Sequence, residues 1–216
     1  DYTSNNKIIG LYNLNDEALS DENEKKLSAK IKNVIDKYDI VIVSDYGHGF
    51  ISKKNAKLIC NRAKFSSLNA QINSANIGYQ TMKNYSSLNC VIINENELRH
   101  EMRDRSTKLS KLMRLLSQKQ LIDNLIVTRG DSGSLMYDKR KNKFFDCEAF
   151  ATRVIDKVGA GDTMLSLISV MLKANIDKNL ALLSASLAAA SSVESQGNSE
   201  SIKKINIIKS IEHLIK

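Results

Sequence analysis

The stretch Asp156-Lys157-Val158-Gly159-Ala160-Gly161-Asp162-Thr163 decides the fold. It follows an extended segment and opens a long apolar helix near Ala160. Its two glycines allow close backbone approach and torsions that a Cβ disfavours. The first amides of a helix lack internal partners and sit at the positive end of its dipole, so such a turn attracts anions, phosphate above all. Asp162 would repel phosphate. Its carboxylate instead suits removal of a proton from a hydroxyl attacking a phosphoryl group held by the neighbouring amides. The plainer alternative is a tight turn closed by Gly-Ala-Gly, with Asp162 capping the helix.

Around this turn, strand patterns alternate with helix patterns. Lys7–Leu14 alternates like a strand, and Ser20–Lys37 places Leu27, Ile31, Val34 and Ile35 on one helical face. The run Asp39–Ser44 reads as a buried parallel strand delivering the loop Asp45-Tyr46-Gly47-His48-Gly49. A helix over 52–65, strands over 68–72 and 90–93, a helical zone over 97–118 and a strand over 124–128 follow. Ser134–Asp138 and Lys143–Asp146 read as a hairpin, and helices are expected over 161–174, 178–195 and 201–215. Such alternation predicts a mainly parallel sheet covered by helices on both faces, with ligands at the strand carboxyl ends.

The 216 residues predict one domain, 1–216. A net charge of +8 raises the question of nucleic acid, but the lysines are scattered and aromatics make up only 6%, so none is expected. A small anionic ligand fits better. No apolar run approaches the roughly 18 residues of a membrane span, and no leader pattern opens the chain, so neither membrane nor secretion is expected. Cys60, Cys90 and Cys147 stand apart and read as reduced thiols of a cytoplasmic protein.

The turn resembles the Asp-Thr-x-Gly-Ala-Gly-Asp signature of the PfkB (ribokinase-like) carbohydrate kinases. Lys157 stands where that family carries Thr or Ser, Val158 where Thr is common, and Leu167 where a small residue is usual. The resemblance implies a ribokinase-like three-layer α/β sandwich, with Asp162 as catalytic base and Gly159, Ala160 and Gly161 as anion hole. It implies ATP contacts from Thr128, Gly130 and Gly133, in a loop similar to Thr-x-Gly-x-x-Gly, and from Ser186 and Asn198 near the adenine pocket. Asn94 and Glu97 resemble the Asn-x-x-Glu element that serves Mg²⁺ through water; a helix start with favourable acidic residues reads the same way. Asp156 matches a monovalent-cation ligand.

Asp45–Gly49 is similar to the Ser-Asp-Tyr-x-Lys-Gly segment of heptose-phosphate kinases, with His48 at the basic position. The resemblance makes Asp45 and His48 candidates for contact with a sugar or sugar phosphate, and Asn73 and Asn76, in an amide-rich loop with Tyr79, candidates likewise; a solvated loop fits the latter equally well. The resemblance runs from about Lys37 to Ser199, and the Gly-Gly sugar motif and β lid that normally precede it do not appear in these residues. The expectation is a C-terminal portion of a longer kinase, binding nucleotide weakly and phosphorylating sugar poorly, or else a catalytically silent nucleotide-binding or assembly domain. A homodimer and a fused or partner nucleotidyltransferase domain stay open.

Overall fold

A computed structural model describes residues 17–71, 82–156, 158–195 and 201–215. Helix α1 (Asp21–Val34) is capped by the Ser20 hydroxyl, and strand β1 (Val41–Asp45) follows. Helix α2 (Lys53–Arg62) begins at Ser52, whose hydroxyl accepts the Asn55 N–H at 3.2 Å. Next come β2 (Ser66–Ala70), β3 (Cys90–Asn94), α3 (Glu95–Met102), α4 (Leu109–Gln120) and β4 (Asn124–Thr128). The hairpin β5 (Ser134–Asp138) and β6 (Lys143–Cys147) precedes α5 (Ala160–Lys173), α6 (Lys178–Val193) and α7 (Lys204–Ile215).

The strands form one six-stranded sheet in sequence order. β1 to β4 run parallel, and β5 and β6 add on antiparallel. Period-two alternation sorts the core. Val43, Leu68, Val91, Ile93, Leu125 and Val127 pack against α1 to α4. Cys90, Ile92, Ile126 and Met136 pack with Met164, Leu165 and Ile168 of α5 and with Ala181, Leu182 and Ala185 of α6. The expected three layers are present. Because the parallel strands end together, their carboxyl ends and the α5 start share one edge of the molecule.

Four expectations need correction or placement. The zone 97–118 is two helices, because Arg103 takes a left-handed conformation at φ 52°. There the Asp104 carboxylate accepts the Ser106 N–H, the Thr107 N–H and the Thr107 hydroxyl, turn chemistry that competes with helix. The strand expected over 68–72 is shifted to Ser66–Ala70, and all five of its residues are buried although three are polar. β1 is buried on one face only; on the other, Ile42 is 41% exposed. The strand expected at Lys7–Leu14 lies outside the described residues.

Candidate active site

The turn before α5 is built by backbone torsion. Gly159 is the N-cap at φ 88°, and no side chain caps the helix. The amides at the start of α5 therefore point outward without a local acceptor. Asp162 does not cap, contrary to the plainer alternative. Its carboxylate turns toward β1: the Ser44 hydroxyl donates to Oδ1 at 2.6 Å and the Tyr46 hydroxyl to Oδ2 at 3.0 Å. Gly161 lets Asn69 come close, since a Cβ there would sit 3.1 Å from Asn69 Nδ2.

Beside this turn lies a cavity of about 570 Å³, lined by Asn94, Glu97, Thr128, Gly130, Gly133, Ala160, Gly161 and Ser186. Ile92, Met164, Ala189 and Val193 give it an apolar floor. The volume falls within the range usual for small-ligand sites, and apolar floor with polar rim suits a base and its phosphates. The 128–133 loop is tight: the Arg129 N–H donates to the Gly133 carbonyl at 2.8 Å and the Gly133 N–H to the Gly130 carbonyl at 3.0 Å. Gly130 (φ 58°) has open space where a Cβ would project. Gly133 (φ 75°) has the Cys147 carbonyl oxygen 2.1 Å from that position.

Asn94 and Glu97 form a capping box at the α3 start, with the Asn94 N–H on Glu97 Oε2 at 2.8 Å. The helix-start reading of this pair is realised, and both residues also line the cavity. Ser186 lies 3.1 Å, hydroxyl to hydroxyl, from Ser134. The Asp156 carboxylate accepts the Val158 N–H at 3.0 Å on the connection into α5, apart from the residues that line the cavity. Among the described residues no group of three His, Cys, Asp or Glu could hold a metal by itself. One Glu on the rim of the cavity nonetheless fits Mg²⁺, which keeps most of its water and needs few protein carboxylates.

Asp45 is placed otherwise than its neighbours. It faces the opposite side of the sheet, 7% exposed, where the Tyr85 hydroxyl donates to Oδ2 at 2.6 Å and the Gly47 N–H to Oδ1 at 3.0 Å. Burial, then the bond to Asp45 and the charge of that carboxylate, push the Tyr85 phenol far up. Tyr46, 44% exposed, is also raised, by partial burial first and then by its bond to Asp162. His48 lies in the loop after β1, partly exposed. Asn73, Asn76, Tyr79 and Asn198 lie outside the described residues. Ser44, Tyr46 and Asn69 are site residues that the sequence reading did not single out; strand parity from Asp45 was the available signal for the first two.

The three layers, the mixed sheet and the cavity at its carboxyl edge define a ribokinase-like α/β protein. The chain belongs to the pfkB family of carbohydrate kinases, whose family model matches residues 10–205. It is 27% identical over 175 residues to the bifunctional protein HldE of Campylobacter fetus subsp. fetus, covering 80% of this chain and 37% of that one. With the HldE of Campylobacter concisus it shares 29% over 150 residues, 69% of this chain and 31% of the other. The chain thus spans about a third of the length of these curated relatives. In structure it is similar to Escherichia coli phosphofructokinase-2 in complex with potassium, at a TM-score of 0.71 and 15% identity, covering 92% of this chain and 64% of that one. Ribokinase from Thermotoga maritima gives a TM-score of 0.66 at 19% identity, covering 84% of this chain and 59% of that one. No described helix is long and apolar enough to cross a membrane.

Proposed function

We propose that this chain is the nucleotide-binding and phosphoryl-transferring part of an ATP-dependent sugar kinase whose acceptor is a heptose phosphate. The observation that carries the reading is the uncapped start of α5, with the Asp162 carboxylate in its first turn and a nucleotide-sized cavity alongside. Asp162 takes the proton of the acceptor hydroxyl as that oxygen attacks the terminal phosphorus. The amides of Gly159, Ala160 and Gly161 donate to the oxygens on which negative charge builds. Thr128, Gly130 and Gly133 hold the phosphates, and Ser186 with the apolar floor receives the base. Mg²⁺, when bound, neutralises phosphate charge, and Glu97 with Asn94 would hold it through water; Asp156 would serve a monovalent cation.

The acceptor class rests on the segment Asp45–Gly49 and on the likeness to chains named bifunctional protein HldE. The word bifunctional in that name accords with a fused or partner domain, which we take to be a nucleotidyltransferase, and the isolated Cys60, Cys90 and Cys147 support a cytoplasmic setting. A second reading, a silent nucleotide-binding domain, draws on one observation: both oxygens of Asp162 are already engaged by hydroxyls of the chain itself.

Isothermal titration with Mg-ADP should give saturable heat. Heat equal to buffer dilution overturns the nucleotide half of the reading. A steady-state assay with Mg-ATP and a heptose phosphate then separates transfer from silent binding.

A further inference from the structure

The base of the proposed reaction is held by two hydroxyls of unequal kind. Ser44 projects from β1, which is paired along its length with β2, and its bond to Oδ1 is short at 2.6 Å. Tyr46 lies one residue beyond the strand, in a loop with glycines at φ 74° and 79°, and its bond to Oδ2 is longer at 3.0 Å. A carboxylate that must accept a proton needs one oxygen fixed and the other available to the acceptor. A hydroxyl donor already on that second oxygen sits where an acceptor hydroxyl would bond. The loop can release it more readily than the strand can release Ser44.

We infer that Ser44 is a positioning residue that fixes Asp162 through Oδ1, and that Tyr46 occupies Oδ2 as a stand-in until the acceptor hydroxyl displaces it. The inference rests on the kinase reading of the same site. In the step it describes, the acceptor O–H proton passes to Asp162 Oδ2. The acceptor oxygen bonds to the terminal phosphorus, and the bond from that phosphorus to the bridging oxygen breaks, releasing ADP. The competition makes Tyr46 a selector as well: only an acceptor held by enough further contacts can displace the phenol, which is by itself the stronger donor.

The test uses the whole chain labelled with ¹³Cζ-tyrosine. Tyr46→Phe identifies the Tyr46 signal by its loss. In Asp162→Asn the phenol should ionise at lower pH than in the parent, because the charge that raises it is gone and an amide oxygen is a weaker acceptor than a carboxylate. An unmoved midpoint means the contact is absent and overturns the inference. Addition of a heptose phosphate with Mg-ADP should then carry the parent Tyr46 signal to its position in Asp162→Asn. Sugar binding, seen by heat, that leaves the signal in place also overturns it, while the kinase reading stands. Absence of both sugar and nucleotide binding overturns the kinase reading itself, and the inference with it.

Kinetics separate the two hydroxyls. Ser44→Ala should lower kcat about tenfold to a hundredfold with little change in KM, as for loss of a bond to a charged group. Ser44→Thr, which keeps the hydroxyl, should restore it. Tyr46→Phe should lower the acceptor KM roughly three- to tenfold, since no phenol competes. A raised KM in Tyr46→Phe would show that the ring binds substrate rather than standing in for it.

Discussion

Two tyrosine–aspartate pairs flank the carboxyl end of β1, alike in chemistry and opposite in setting. Tyr85 is 1% exposed and donates to the buried Asp45 on the α1–α4 side of the sheet. Tyr46 is 44% exposed and donates to Asp162 on the α5 side. The buried pair has no water to fall back on, so its bond is obligatory and fixes the loop from which Tyr46 projects. The open pair can trade its bond for water or ligand at little cost. Asp45, the last residue of the strand, and Tyr46, the first beyond it, thus face opposite sides of the sheet, one toward Tyr85 and the other toward Asp162. Asp45, one of the candidates for sugar contact in the sequence, is buried with its carboxylate on the Tyr85 hydroxyl and the Gly47 N–H.

The largest effect that could break this contrast is on turnover. Asp162→Asn, in a form of the protein that transfers phosphate, should cut kcat about 10²- to 10⁴-fold, the usual range for a general base. Its Mg-ADP affinity should stay within a few-fold by calorimetry, because the amides and the 128–133 loop are untouched. Unchanged turnover would make the open pair structural as well. Next comes Gly133→Ala. Its φ of 75° with ψ of −137° suits glycine almost alone, and the new Cβ would meet the Cys147 carbonyl at 2.1 Å. A loss of about 3 kcal/mol or more in urea unfolding is expected from strain and overlap together. A smaller loss would mean that the hairpin and the 128–133 loop are not coupled as the backbone contact implies.

The order of elements and most of the helices were legible in the sequence because hydrophobic periodicity and capping residues agreed along it. Ser20, Ser52, Asn94 and Asp177 each stand at the start of a helix and accept its amides. β2 was less legible for a physical reason. Its polar residues Ser67 and Asn69 face α5, where Ser169 bonds the Ser67 hydroxyl at 2.7 Å and Asn69 abuts Gly161. No local pattern announces a buried serine matched by a residue a hundred positions away. The break after Met102 was readable in Asp104-Arg105-Ser106-Thr107, had turn chemistry been weighed against the apolar register. At the site, the glycine turn and the 128–133 loop could be read because backbone torsion demands particular residues there. Ser44 and Tyr46 could not, since a hydroxyl becomes informative only once strand parity shows what it faces.

The last test compares the two tyrosines in stability alone, where the expected effects are smallest and the contrast is cleanest. Tyr85→Phe removes the only change of shape that matters there, one oxygen, and leaves a carboxylate oxygen of a 7% exposed Asp45 without that donor. The cost is the desolvation of that oxygen, about 1–3 kcal/mol. Tyr46→Phe removes the same atom from a ring open to solvent, and water can replace it on Asp162, so the change should stay within about 0.5 kcal/mol. Equal losses in the two variants would mean that the loop after β1 is locked as firmly as the core beneath it. A displaceable Tyr46 would then have no physical basis. A large loss for Tyr85 and none for Tyr46 is what a rigid strand carrying a releasable loop requires.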